Sequence, residues 1–150
     1  MFVAKMRGLT EHDSNRPNPD LGKMGKLKTM TSSERIILAV LSICLAVGGS
    51  THVIDIVLGG FLPYRGVPLP LNAFWTSLAL LDFVAVFLLW KSRKAGLQLT
   101  VAIMFADVVI NSYACYVLKV FQSFAPLQAQ SLFLGFVLGA IAILWPIKSK

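Results

Sequence analysis

Apolar residues fill four stretches of this chain almost without interruption, approximately Ile36 to Leu62, Leu71 to Trp90, Leu97 to Phe121 and Leu127 to Trp145. Each has the roughly 20 mostly apolar residues that a helix needs to cross the hydrocarbon of a bilayer. The pattern therefore predicts four spanning helices joined by short polar segments. The residues before them, 1–30, are polar and interrupted by the breakers of "SNRPNPD" and "GKMGK". They read as a flexible cytoplasmic tail, with residues 31–150 as one four-helix transmembrane domain.

Local signals mark several helix ends. Thr31 and Glu34 in "TSSE" have the spacing of a capping box, in which each side chain reaches the other residue's backbone N–H. Pro63 is expected to close the first helix and Pro146 to stop the fourth. The connection "LPYRGVPLPLN" is short and rich in proline, hence stiff. Trp90, Trp145, Tyr64 and Tyr116 fall near the expected membrane surfaces, where amphipathic rings settle.

The 56% hydrophobic content and mean hydropathy of +0.71 lie well outside soluble composition. The placement of charge says more than the net +7. Of the fourteen Lys and Arg, seven precede the body of the first helix, one lies in the first loop and three in the second, one near the end of the third helix and two after the fourth. This alternation puts both termini and the loop "KSRKAG" on the cytoplasmic side. It also accounts for the basic pI, so no folded basic domain remains to bind nucleic acid.

The expected class is thus an all-α, polytopic membrane four-helix bundle in the inner membrane. A cleavable signal peptide is not expected, because the first apolar run is too long for one, and Glu11, Asp13 and Asp20 argue against a transit peptide. Met24 and Met30 are candidate later starts.

Several chemistries lose support from what the sequence lacks. Cys44 and Cys115 form no C-x-x-C pair and sit at different heights on their helices, which argues against thiol redox work. His52 is the one histidine within a helix, so a haem held by two histidines is disfavoured. One histidine and no cysteine cluster give no metal site. No nucleotide-binding or hydrolase motif is present, and no cofactor is expected.

Against this background, three of the seven acidic residues fall inside the expected spans: Asp55, Asp82 and Asp107. A charged aspartate at the centre of a spanning helix opposes insertion by about 2.5 to 3.5 kcal/mol. Each must be protonated, paired, turned toward protein or water, or given a cation. A helical projection groups Gly48, His52, Asp55 and Gly59 on one face, with Cys44 and Thr51 at its margins. Thr100, Asp107, Asn111 and Ala114 share a face of the third helix, Asn111 lying one turn above Asp107, within reach of its carboxyl.

Trp75 aligns with Asp82 on the second helix and reads as an interface anchor or core filler. On the fourth, Gln128, Ser131, Gly135, Gly139 and Ala142 line up, and Gly135 with Gly139 forms a G-x-x-x-G packing face expected to turn inward. At 1.5 Å per residue, Asp82 and Asp107 lie roughly 13 and 15 Å from the cytoplasmic edge, level enough to share a proton, with His52 and Asp55 at roughly 25 and 30 Å. Arg65 in the outer loop is within possible reach of Asp55.

With "HVIDIVLGGFLPYRG", "LNAFWTSLALLD" and "AIMFADVVINSY" in view, the chain resembles small hypothetical four-helix inner-membrane proteins of bacteria. The resemblance covers Thr31 to the end and implies the fold and the location. It brings no activity with it.

Three functional readings follow. In the first, His52, Asp55, Asp82, Asp107 and Asn111 form a site that handles protons or a small solute. In the second, the chain is a non-catalytic accessory or assembly subunit, packing through Gly48, Gly135 and Gly139 on another membrane protein or a second copy. In the third, an enzyme acts on a lipid or quinone with His52 as base and Asp55 as its orienter, though no nucleophile accompanies them. The plainer reading of the same residues is structural: His52 and Asp55 as a local contact, and Asp82 and Asp107 as neutral hydrogen bonds between helices.

Overall fold

A computed structural model describes residues 30–121 and 123–145. It is all-helical there, with α1 (Ser32–Gly59), α2 (Leu69–Lys91), α3 (Arg93–Tyr116) and α4 (Ala125–Leu144). All four are long and apolar enough to cross a membrane. The expected tail falls outside the described residues except for Met30, which packs partly buried against the core. Pro146 also lies outside them.

The capping box forms. Thr31 Oγ1 accepts from the Glu34 N–H at 3.2 Å, and Glu34 Oε2 accepts from the Thr31 N–H at 3.0 Å. With those donors satisfied, α1 starts at Ser32, where the capping box puts it and ahead of the apolar run that begins at Ile36. It ends at Gly59, not at Pro63, because Gly60 takes φ +82°, a conformation that glycine adopts without penalty. At 28 residues α1 is about 42 Å long.

Pro68 and Pro70 start α2, where the missing N–H groups would have no helical partner. A single extended residue, Ser92 (φ −143°, ψ 85°), separates α2 from α3. The corner is tight enough that a Cβ on Gly96 would lie 2.4 Å from the Leu89 backbone nitrogen. α3 ends at Tyr116, short of the expected Phe121; Lys119 turns the chain with φ +54°. The Val120 N–H closes that turn on the Ala114 carbonyl at 3.1 Å.

The helices pack in chain order, α1 on α2, α2 on α3 and α3 on α4, while α1 meets α4 only slightly. They alternate in direction. At one end Arg93 reaches Glu34 at 3.5 Å and the Lys94 ammonium lies 5.8 Å from the Trp145 ring, so the start of α1, the α2–α3 corner and the end of α4 meet there. The opposite end gathers Tyr64, Trp75 and Phe121.

Leu38, Leu41 and Leu45 of α1, Leu78, Ala85 and Leu89 of α2, and Leu97, Ile103 and Met104 of α3 form most of the core. With buried Asp82 on α2 and Thr100, Asp107 and Asn111 on α3 included, inward positions recur every three or four residues and form one stripe per helix. Asp82 sits in the α2 stripe between Leu78 and Ala85, and Asp107 in the α3 stripe.

The expected inward face of α4 is corrected. Leu127, Val137, Ala140 and Leu144 face in, whereas Gly135 and Gly139 are exposed, with nothing within 4 Å of an added Cβ. At 100° per residue the two sets lie on roughly opposite sides. α4 is apolar all round, so its small residues do not select the packed face; the larger side chains that fill space against the neighbouring helices do.

Candidate functional site

One cavity of about 600 Å³ lies among the helices, and Asp55, Asp82 and Asp107 all line it together with His52 and Asn111. It is mostly apolar, with polar groups arriving from each side. The cavity lies between α1, which turns Gly48, His52 and Asp55 toward it, and α2 and α3, which present Asp82 and Asp107. Gln130 and Phe133 of α4 complete the lining.

Toward the loop end, His52 and Asp55 do not bond to one another directly. Tyr64 joins them: its hydroxyl donates to Asp55 Oδ2 at 2.8 Å and lies 2.8 Å from His52 Nδ1. A hydroxyl has one proton to give, so if Asp55 receives it, His52 must donate from Nδ1. In the neutral ring Nε2 is then the basic nitrogen.

Asn72 fixes the loop that delivers Tyr64. Its amide donates to the carbonyls of Leu62 (3.1 Å) and Tyr64 (2.9 Å), and its oxygen accepts from the Tyr64 N–H at 3.4 Å. Burial above all, followed by the hydrogen bond to Asp55 and that residue's negative charge, holds the Tyr64 phenol protonated above its ordinary value of 10.0.

Deeper in, Asn111 uses its whole amide. Its oxygen accepts from Trp75 Nε1–H at 2.8 Å, and its nitrogen donates to Asp107 Oδ1 at 2.8 Å and to Gln130 Oε1 at 2.9 Å. α2, α3 and α4 are thereby joined through one side chain. Trp75 is buried and is no interface anchor.

Asp82 is different. It is 5% exposed, and its carboxyl has no hydrogen-bond partner among the described residues. Oδ2 sits 3.1 Å from where a Cβ on Gly48 would be, so glycine there leaves room for the carboxylate.

Tyr64, in the loop between α1 and α2, turns its hydroxyl inward between His52 and Asp55. One other expectation is corrected. Arg65 is exposed and forms no ion pair with Asp55 among the described residues; the neighbouring phenol occupies that position. Sequence reasoning also missed Asn72 and Gln130. An asparagine in the first turn after a Pro-rich loop is a recognisable turn-pinning signal, whereas Gln130 had no such mark.

No protein-family model, curated protein or solved structure matches the chain.

Proposed function

We propose that this chain is a multi-pass inner-membrane protein, with both termini cytoplasmic, that handles protons or a small solute through the carboxyls of its central cavity. The observation that carries the reading is the convergence of Asp55, Asp82 and Asp107 on one chamber whose lining includes a single histidine and no Lys or Arg. Outside the chamber, α1 presents exposed Ile36, Ile54, Val57 and Leu58, and α4 exposed Leu132 and Ile143. Such apolar surfaces fit lipid contact, and in lipid an acid is tolerated only when it faces protein or water.

Two roles divide the cavity. Asp82 and Asp107 form its middle, where two carboxyls in one poorly hydrated space hold a proton between them more readily than two charges. His52, Tyr64 and Asp55 form the mouth, where the Tyr64 hydroxyl can pass a proton by releasing it to Asp55 and taking another from His52. Asn111 holds Asp107 in place.

The test is proton uptake into liposomes containing the purified protein, driven by a potassium gradient with valinomycin and read with an internal pH dye. Asp107→Asn should remove the uptake while leaving the Asn111 contact an amide partner. An unchanged rate would take Asp107 out of the mechanism.

A further inference from the structure

We infer that the cavity binds a lipophilic organic cation, a positive ammonium-like or phosphonium-like centre on an apolar body, which enters sideways from the bilayer between α1 and α4. This rests on the proposed reading and names the class of solute.

Charge selects the sign. Three carboxyls line the chamber, and no cationic side chain answers them there. Walls of low polarity leave that field little screened. Asp55 is held by Tyr64 and Asp107 by Asn111, but Asp82, with 5% of its surface exposed, has no protein partner among the described residues. Its carboxyl oxygens open onto the chamber, where a positive group beside them would offset the cost of carrying a charge there.

Size and donor geometry select an organic cation over a metal ion. A metal ion gathers several ligands at about 2.0 to 2.6 Å. Among the described residues no three His, Cys, Asp or Glu side chains are close enough to do so. The acids are spread around the chamber instead, and its volume of about 600 Å³ suits a small molecule.

Part of the remaining, otherwise aliphatic wall is aromatic. Trp75 lies edge-on to Tyr64 at 5.1 Å and next to Phe121 at 5.8 Å, and Phe133 faces the chamber from α4. Such rings attract an organic cation through their electron-rich faces and bury its apolar part.

The route follows from the packing. α1 and α4 barely touch, and the cavity lining runs out to residues exposed on both: Ile43, Val47 and Thr51 on α1, Pro126 and Ala129 on α4. A molecule already dissolved among acyl chains can pass this apolar opening with its charge following its body. A strongly hydrated cation would have to shed its water first.

The experiment titrates detergent-solubilised protein with tetraphenylphosphonium, following tryptophan fluorescence and calorimetric heat, with triphenylphosphine oxide as the uncharged counterpart. The expected result is saturable quenching by tetraphenylphosphonium, lost in Trp75→Phe, and much weaker binding of the oxide. Asp82→Asn should weaken tetraphenylphosphonium by about tenfold or more, the scale of a lost buried charge contact. Thr51→Lys, at the exposed lip of the cavity, adds a competing cation without disturbing the core and should weaken binding as well.

The proposal is overturned by any of three results: no saturable binding, equal affinity for the oxide, or wild-type affinity in both variants when their helical circular dichroism matches the wild type. Proton uptake that depends on Asp107 without phosphonium binding would sink this inference and leave the proposed function standing. Phosphonium binding that depends on Asp82 without proton uptake would do the reverse for the proton reading.

Discussion

Tyr64 carries more of the site than its position in a loop suggests. One hydroxyl satisfies Asp55 and His52 together, in place of the direct contact that their spacing on α1 predicts. A helix projection finds His52 and Asp55 on one face because both belong to the same helix. It cannot find Tyr64, whose placement depends on Gly60 ending α1 and Asn72 gripping the loop.

A pH dependence follows. The phenol is held protonated above its ordinary value of 10.0, so the folded state keeps a proton that the unfolded chain gives up. Its contribution to stability is complete below that pH and is lost as pH rises through and beyond it. Melting temperatures in detergent, measured from neutral pH upward, should fall more steeply above pH 10 for the wild type than for Tyr64→Phe. Parallel curves would show that this phenol is not the group responsible.

At the scale of elements, two glycines separate packing from appearance. Gly96 is required by the one-residue corner between α2 and α3, since a Cβ would collide with the Leu89 backbone, which cannot swing aside like a side chain. Gly135 looks like a packing residue in sequence but faces open space. Gly96→Ala should therefore destabilise the protein by about 1–3 kcal/mol or more, the range for forced overpacking. Gly135→Ala should be neutral or stabilising by about 0.5–1 kcal/mol, because alanine loses less backbone freedom in a helix. Thermal unfolding of the two variants side by side in one detergent checks the contrast; equal losses would place Gly135 in a packed interface.

The four helices were legible because each is a long apolar run, and the start of α1 because Thr31 and Glu34 have capping-box spacing. The face of α4 was not. With apolar residues all round, its orientation depends on which side chains fill the space beside the neighbouring helices.

For the whole molecule, the start of α1, the α2–α3 corner and the end of α4 share one end. Lys91, Arg93 and Lys94 lie at that corner, and cytoplasmic loops carry such an excess of positive residues. With Cys44 and Cys115 replaced by serine, a cysteine at Ser92 should react with a membrane-impermeant maleimide only in inside-out vesicles. A cysteine at Arg65 should react only in right-side-out spheroplasts. Labelling of both from the same side would contradict the four-span topology. The cavity belongs to this scale as well, because it needs the slight meeting of α1 with α4 and the inward turn of Gln130.

Sequence by itself determined the number of helices, their apolar length, and which residues of α1 and α3 share a face. Those properties reside in composition and in the 3.6-residue period, which no neighbour can alter. Tertiary structure alone decided that Asp55, Asp82 and Asp107 meet in one chamber, that Tyr64 and Asn111 hold two of them, and that Asp82 is left without a partner. Periodicity records the direction of a side chain around its own axis. The rotation and spacing of one axis against another come from packing between residues far apart in the chain.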